Sequence, residues 1–256
     1  MAAHMSVIRA LQAKPDYWGW VGDLYLAGND DGVAMRLLDG QDYEPQSRKI
    51  WRELCAGAEV VVDVGAHTGI YSIDAWRAGA KHVLSVEPYS LNHARLVMNL
   101  RHAGFDTASC VMCAASDANG SADLAVGLKA NNYYCYAGGQ VGNAPAGAES
   151  AKVKVRRLDA LLKPEWHAKV RAVKIDTEKH GCRVLAGMPG ILSHRPDLIL
   201  ECIEHGMTEI LAPLGYRFYK IIETGARAGL ERVDALVPDA TFSFDSPNRY
   251  ATVKEV

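Results

Sequence analysis

Residues Val60-Val61-Val62-Asp63-Val64 are apolar but for one acid, and Gly65-Ala66-His67-Thr68-Gly69 follow them directly. An unalternating run of β-branched residues suits a strand covered on both faces, as in sheets flanked by helices. From Ile70 onward the pattern reads as helix, so the segment is a strand, a tight turn and a helix. Gly65 and Gly69 take backbone angles closed to other residues and let the chain come close to a ligand. The spacing excludes one common use of this layout. A dinucleotide-binding turn reads G-x-G-x-x-G and offers bare amides to a pyrophosphate, and that triplet is missing here. Asp63, at the strand's end, is expected beside the ligand, where a carboxylate repels phosphate and favours a cation such as a sulfonium or an ammonium.

A second strand, Lys81-His82-Val83-Leu84-Ser85-Val86, ends in Glu87 and stops at Pro88, which cannot donate to a strand ladder. In a doubly wound sheet the carboxyl end of a strand faces the crevice, and an acid there accepts hydrogen bonds from two ribose hydroxyls. Each acid alone has a plainer reading, Asp63 as a helix cap and Glu87 as a surface carboxylate. Together, at this spacing, they favour S-adenosylmethionine, which carries a sulfonium, an ammonium and a ribose.

These motifs resemble those of the FkbM family of S-adenosylmethionine-dependent methyltransferases. Asp63-Val64-Gly65-Ala66-His67-Thr68-Gly69 is similar to the family's D-V-G-A-N-x-G, and Val173-Lys174-Ile175-Asp176-Thr177-Glu178 to its K-I-D-V-E. Val86-Glu87-Pro88, the run Arg195 to Glu201, Leu214-Gly215-Tyr216 and Tyr43-Glu44-Pro45 match as well, so the likeness spans about residues 40 to 222. Two departures stand out. His67 replaces an Asn, and Lys179-His180-Gly181 occupy the places of the family's Gly-x-Glu, which removes its second acid. The resemblance implies a class I methyltransferase fold: a Rossmann-like, doubly wound and mostly parallel sheet with a C-terminal antiparallel strand. It also implies methyl transfer from S-adenosylmethionine to a hydroxyl on a sugar, glycolipid or secondary metabolite.

Composition agrees with one compact enzyme. A chain of 256 residues can bury a single core, and the formal charge of −2 supplies no general attraction to nucleic acid. A small-molecule or saccharide acceptor is the expected partner. No apolar run reaches the ~20 residues of a membrane span, and no cationic start precedes an apolar stretch, so a cytoplasmic location is expected. Met1-Ala2-Ala3-His4 ahead of Met5 reads as an appended segment. The six cysteines read as core thiols, and Cys110-Val111-Met112-Cys113 lacks the second pair that a zinc site would require.

Helical and extended patterns alternate along the chain. Residues 1–45 are expected to form a small N-terminal cap, with a helix near Ile8 to Ala13, an aromatic segment from Tyr17 to Tyr25 and a hairpin around Asn29-Asp30-Asp31-Gly32. Residues 46–256 are expected to form the methyltransferase domain. Helices are predicted over Pro45 to Leu54, Ile70 to Ala78, Leu91 to Leu100, Cys182 to Leu192 and Glu209 to Leu214. Strands are predicted over Ser109 to Ala115, Lys152 to Arg157, Val170 to Asp176, Asp197 to Cys202 and Tyr216 to Ile222, with a last antiparallel strand near Asn248-Arg249-Tyr250. Residues 127–150, rich in Gly, Ala and Asn around three tyrosines, fit no regular core element and read either as a binding lid or as a surface loop.

The implied fold makes the turn after the third strand border the adenine, so Ser116 and Asp117 are candidates to accept its amino group, with a surface turn as the other reading. It also turns the ends of the fourth and fifth core strands toward the crevice, which places Asp176 and Glu201 near the reacting centre. Methyl transfer is an in-line displacement that needs a held acceptor and a nearby base. His180 is favoured over Glu178 as that base, because an imidazole titrates near neutrality, while Glu178 also suits a helix cap. The cofactor set is Asp63, Gly65, His67, Gly69, Glu87, Ser116, Asp117 and Asp176. A divalent metal held by Asp176, Glu201, Glu204 and His205 is the less favoured reading. A nucleotide-dependent oxidoreductase and a non-catalytic binding module are the competing functions.

Overall fold

In the computed structural model of the protein the described residues are 18–22, 24–27, 33, 36–37, 40–129, 132–136, 149–201, 203–239, 243 and 245–256. The predicted first core strand is β3 (Val60–Val64), buried at every position. Val60, Val62 and Val64 join one apolar cluster with Val173, Ile175, Leu198 and Leu185. Val61 joins a second, with Trp51, Tyr71, Ile73, Leu96 and Leu100. One core lies on each face of the sheet, which is why the strand's residues do not alternate with polar ones.

The main sheet runs β13 (Gly229–Val233), β12 (Arg217–Ile222), β14 (Asn248–Thr252), β11 (Asp197–Glu201), β10 (Val170–Ile175), β3, β4 (His82–Val86) and β5 (Cys110–Val111). β11, β10, β3, β4 and β5 are mutually parallel, and β14 enters antiparallel between β11 and β12. Buried Asp197 holds that insertion by accepting the Tyr250 hydroxyl at 2.9 Å and the Thr252 hydroxyl at 2.5 Å. The register then sets Asn248 opposite Glu201. Helices α1 (Pro45–Cys55), α2 (Ile70–Arg77) and α3 (Ser90–His102) contribute Trp51, Ile73 and Leu96 to the second cluster.

Several expectations change. The apolar run from Ser109 to Ala115 is not one strand. The Cys113 amide donates to the Val111 carbonyl at 3.1 Å, the chain turns, and Ala114–Ala115 becomes β6 of a second sheet. That sheet, ordered β6-β9-β7-β8, contains β7 (Gly120–Lys129), β8 (Asn132–Tyr136) and β9 (Glu149–Arg156), so the three tyrosines fall on a strand paired antiparallel with β7, while residues 137–148 of the expected loop lie outside the described residues. Its pairing partners are distant in sequence, which local composition does not register. The helix expected over Cys182 to Leu192 breaks into α5 (Gly181–Ala186) and α6 (Pro189–Leu192), because the backbone leaves helical angles at Met188 (φ −130°, ψ 38°) and Pro189 starts a new helix. Between them in sequence and β9 lies α4 (Pro164–His167), and α7 (Met207–Leu211) precedes β12. β13 was not anticipated.

In the N-terminal segment, β1 (Trp18–Val21) and β2 (Leu24–Ala27) pair antiparallel around Gly22. The expected turn at residues 29–32 and the helix at 8–13 lie outside the described residues. The buried Asn99 amide ties this hairpin to the glycine turn, accepting the Tyr25 amide at 2.7 Å and donating to the Thr68 carbonyl at 2.7 Å. Among the described residues no helix is long and apolar enough to cross a membrane.

Candidate active site

The turn after β3 is left-handed at three places, Gly65 (φ 79°), His67 (φ 50°) and Gly69 (φ 95°). Gly65 donates its amide to the Val86 carbonyl at 2.9 Å, and a Cβ there would lie 1.6 Å from the Asp176 carbonyl oxygen. A Cβ on Gly69 would lie 2.7 Å from Leu96 Cδ1. The two glycines therefore let the turn sit directly on the end of β10 and on α3. Glu87 stands at the carboxyl end of β4, 4% exposed, and accepts the His67 amide on one oxygen and the Tyr89 amide on the other, each at 2.9 Å. Burial pushes its carboxyl up to about 7, against the pull of those two amides. The Asn92 side chain is a third hydrogen-bond donor to this carboxyl.

Asp63 is placed differently from the expectation. It is 1% exposed, its Oδ2 accepts the Ser72 hydroxyl at 2.6 Å, and Ser72 in turn meets Ser85 at 2.7 Å. Burial raises its carboxyl, with Lys174 opposing. The acid thus ties β3 to α2 beneath the turn rather than standing at its surface, because the pleat sends it to the face that α2 covers.

Lys174, only 2% exposed, is the centre of the second group. Its Nζ donates to Asp176 Oδ2 at 2.8 Å, lies 4.0 Å from Glu201 Oε2 and sits 4.4 Å above the Tyr71 ring. Burial works against its charge, but Asp176, Glu201, Glu44 and Asp63 outweigh that and raise it. Asp176 is correspondingly lowered despite its own desolvation, chiefly by Lys174. Glu201 is raised well above the carboxylate range by burial, then by Asp176 and Glu44. The two carboxyls therefore titrate as a coupled pair, with Asp176 pushed down and Glu201 pushed up. Asp176 is the reachable member, its side chain 23% exposed against 9% for Glu201.

His180 belongs to a third group. Its Nε2 meets the Ser116 hydroxyl at 3.0 Å, and that hydroxyl donates to Asp117 Oδ1 at 3.0 Å. Arg183 pairs with Asp117 at 3.2 Å. Since Ser116 spends its proton on Asp117, it accepts from His180, which leaves Nδ1 of the ring as a buried acceptor with no partner among the described residues. Burial, then Arg183, lowers the imidazole. Glu178 (φ 49°) and Lys179 (φ 66°) are consecutive left-handed residues that reverse the chain between Asp176 and His180. Of the metal set, Glu204 Oε2 accepts the Cys182 amide at 2.9 Å and His205 offers its carbonyl to the Cys182 thiol. Among the described residues no three His, Cys, Asp or Glu side chains converge as metal ligands.

Sequence reasoning named Asp176 and Glu201, matched Lys174 to the family motif without giving it a role, and missed Glu44, Tyr71 and Asn248. Glu44 Oε2 accepts the Tyr71 hydroxyl and the Asn248 amide, the latter at 2.9 Å. Tyr43-Glu44-Pro45 carried the only signal for these residues, and it gave no role.

The strand order and the antiparallel insertion are those of the class I methyltransferase fold. The methyltransferase FkbM domain matches residues 63–223, and the chain belongs to the FkbM methyltransferase family. That membership sets aside the oxidoreductase reading. Among solved structures it is similar to precorrin-6y C5,15-methyltransferase from Geobacter metallireducens GS-15, at 14% identity over 80% of this chain and 84% of that one, with a TM-score of 0.40. It is also similar to the O-methyltransferase from Bacillus cereus in complex with S-adenosylhomocysteine (12% identity, 98% and 91% covered, TM-score 0.42). A third is the ribosomal protein L11 methylase from Lactobacillus delbrueckii subsp. bulgaricus (13% identity, 86% and 79% covered, TM-score 0.41). None of the three bears on the acceptor. A search of curated proteins returns no match.

The residues present fit the cofactor of this class. Glu87 stands as a buried acid at a strand end beside the glycine turn, and the buried Thr68 hydroxyl in that turn has no partner among the described residues.

Proposed function

We propose that the protein transfers a methyl group to a hydroxyl on a small polar acceptor, in the class of sugars, glycolipids and secondary metabolites, with Asp176 taking the hydroxyl proton. The observation that carries this reading is the Lys174–Asp176–Glu201 group at the ends of β10 and β11, where one carboxylate is kept ionised and reachable and its neighbour is kept protonated behind it. S-adenosylmethionine supplies an electrophilic methyl on a sulfonium and leaves as the neutral thioether. In this reading Glu87 binds the ribose hydroxyls, and the turn from Gly65 to Gly69 encloses the amino-acid end.

The acceptor oxygen becomes strongly acidic as the carbon–oxygen bond forms. A carboxylate held below its usual range is therefore base enough, and the lysine keeps it aimed. His180, favoured from sequence, suits this role less well, because its Nε2 is engaged by Ser116, whose hydroxyl in turn donates to Asp117, and its Nδ1 is buried. We assign it with Ser116 to the adenine side, where the lone pair on Nδ1 suits an exocyclic amino group. The described hairpin of β1 and β2, anchored on Asn99, is assigned as a cap on the glycine turn.

Radiolabelled S-adenosylmethionine and a panel of sugars, glycolipids and phenolic metabolites test the activity. Label appearing as a methyl ether, abolished in Asp176→Asn and retained in His180→Ala, is the expected result. Tight cofactor binding with no transfer to any member would instead favour the binding-module reading that the lost Gly-x-Glu suggests.

A further inference from the structure

Glu44 is buried, 5% exposed, yet nothing in the proposed chemistry uses it. It precedes α1 in a left-handed conformation (φ 46°), uncommon for a residue with a Cβ. Its position invites the plain reading of a helix cap, but its side chain caps nothing. That task falls to Glu223, whose carboxylate accepts the Gln46 amide at 2.8 Å and the Ser47 amide at 3.3 Å. Glu44 Oε2 instead accepts the Tyr71 hydroxyl and, at 2.9 Å, the Asn248 amide. Each partner touches the catalytic group from a different side. The Tyr71 ring lies under Lys174 Nζ, and Asn248 is the strand partner of Glu201. Asn248 Oδ1 and Glu201 Oε2 are both buried without a hydrogen-bond partner among the described residues.

We propose that Glu44 is a positioning residue of the methyl-transfer site, holding Lys174 through Tyr71 and the Glu201 strand end through Asn248, without touching acceptor or cofactor. The proposal rests on the reading of Asp176 and Glu201 given above. The charged and titratable groups that face the pair are Lys174 from β10, Asp63 from β3, Glu87 from the end of β4, His67 from the glycine turn, Tyr71 from α2, and Tyr43 and Glu44 ahead of α1. Glu223 adds to the field at Tyr71 and Glu44. Glu44 is one of the charges that keep Lys174 cationic and Glu201 protonated, so removing its charge alone must move the pair.

Glu44→Gln does this with little change of shape, since the amide oxygen accepts the same two donors. Carbon-13 carboxyl resonances followed through pH, with Glu201 assigned by loss of its signal in Glu201→Gln, read the pair in the unliganded protein. Calorimetry with S-adenosylmethionine and S-adenosylhomocysteine reads its effect on a sulfonium. In Glu44→Gln the Glu201 midpoint is expected to fall by about one pH unit, the size of losing a neighbouring charge. The preference for S-adenosylmethionine over S-adenosylhomocysteine should fall about threefold or more at pH 7, where the cluster has lost a negative charge. An unmoved midpoint with unchanged preference overturns the proposal while leaving the methyltransferase reading intact. Wild-type protein that binds neither compound overturns both. Should Glu44→Gln not fold, Tyr71→Phe keeps every charge and the ring but cuts the tether; reduced preference there supports the proposal, and wild-type preference overturns it.

Discussion

The carbonyl oxygen of Asp176 fills the space that a Cβ on Gly65 would need, with 1.6 Å between them. The first glycine of the turn and the leading catalytic candidate are thus in backbone contact across β3 and β10. Gly65→Ala adds a methyl group against backbone at φ 79°, where neither partner yields. A loss of ~4 kcal/mol in urea denaturation is expected, together with loss of S-adenosylhomocysteine binding. A variant of wild-type stability would refute the contact.

Glu87 has an ordinary value of 4.5 and is pushed up to about 7 in the fold. Between those values the folded state holds a proton that the unfolded chain has released, so this residue's contribution to stability falls as pH rises from about 5 to about 7. Ribose hydroxyls donate to the ionised form, so S-adenosylhomocysteine should bind several-fold more tightly at pH 8 than at pH 6. Glu87→Gln is expected to flatten both trends and to weaken binding by about 1.5–3 kcal/mol, the usual worth of a hydrogen bond to a charged group. Calorimetry at the two pH values decides.

Asp176→Asn removes the proton acceptor and keeps the shape. Turnover at saturating cofactor should drop about 10²–10⁴-fold, the range for loss of a general base, with S-adenosylhomocysteine affinity within a few-fold of wild type. Equal losses in affinity and turnover would make Asp176 a binding residue only.

Lys174→Met keeps the side chain's length and leaves the Asp176–Glu201 pair without its cation. Breaking a buried ion pair in this way costs about 3–5 kcal/mol, measurable as a lowered urea midpoint. Combining it with Asp176→Asn should recover part of that loss. Strict additivity of the two would argue that they do not interact.

Asn99→Ala removes the amide that joins the Tyr25 backbone to Thr68. The buried Thr68 carbonyl loses its partner, at about 1–3 kcal/mol, and the partly buried Tyr25 amide loses this bond at a smaller cost. Limited proteolysis should then cut near the N-terminal hairpin faster than in wild type, and unchanged cutting would remove the cap assignment.

The parallel core strands, the glycine turn and the acids at strand ends were readable from residue order. Each is a local pattern, with β3, β4, β10 and β11 announcing themselves as apolar runs ending in Asp or Glu. The antiparallel last strand was anticipated near Asn248, although its pairing partners were not. Errors arose where a choice depended on distant chain. Ser109 to Ala115 is one apolar run by composition, but its two halves pair with β4 and β9 respectively. The burial of Asp63 against α2 was not legible either, because sequence shows where a strand ends and not which face a helix covers.

Residue order alone determined the family, the class of fold and most of the candidate site, because turns and buried strands impose residue types within a few positions of one another. Which of those candidates act together was decided only in three dimensions. Glu44, Tyr71, Lys174, Glu201 and Asn248 lie up to 204 residues apart, and their joint chemistry comes from burial. A shared low-dielectric site couples their charges, and no local pattern in the chain encodes that coupling.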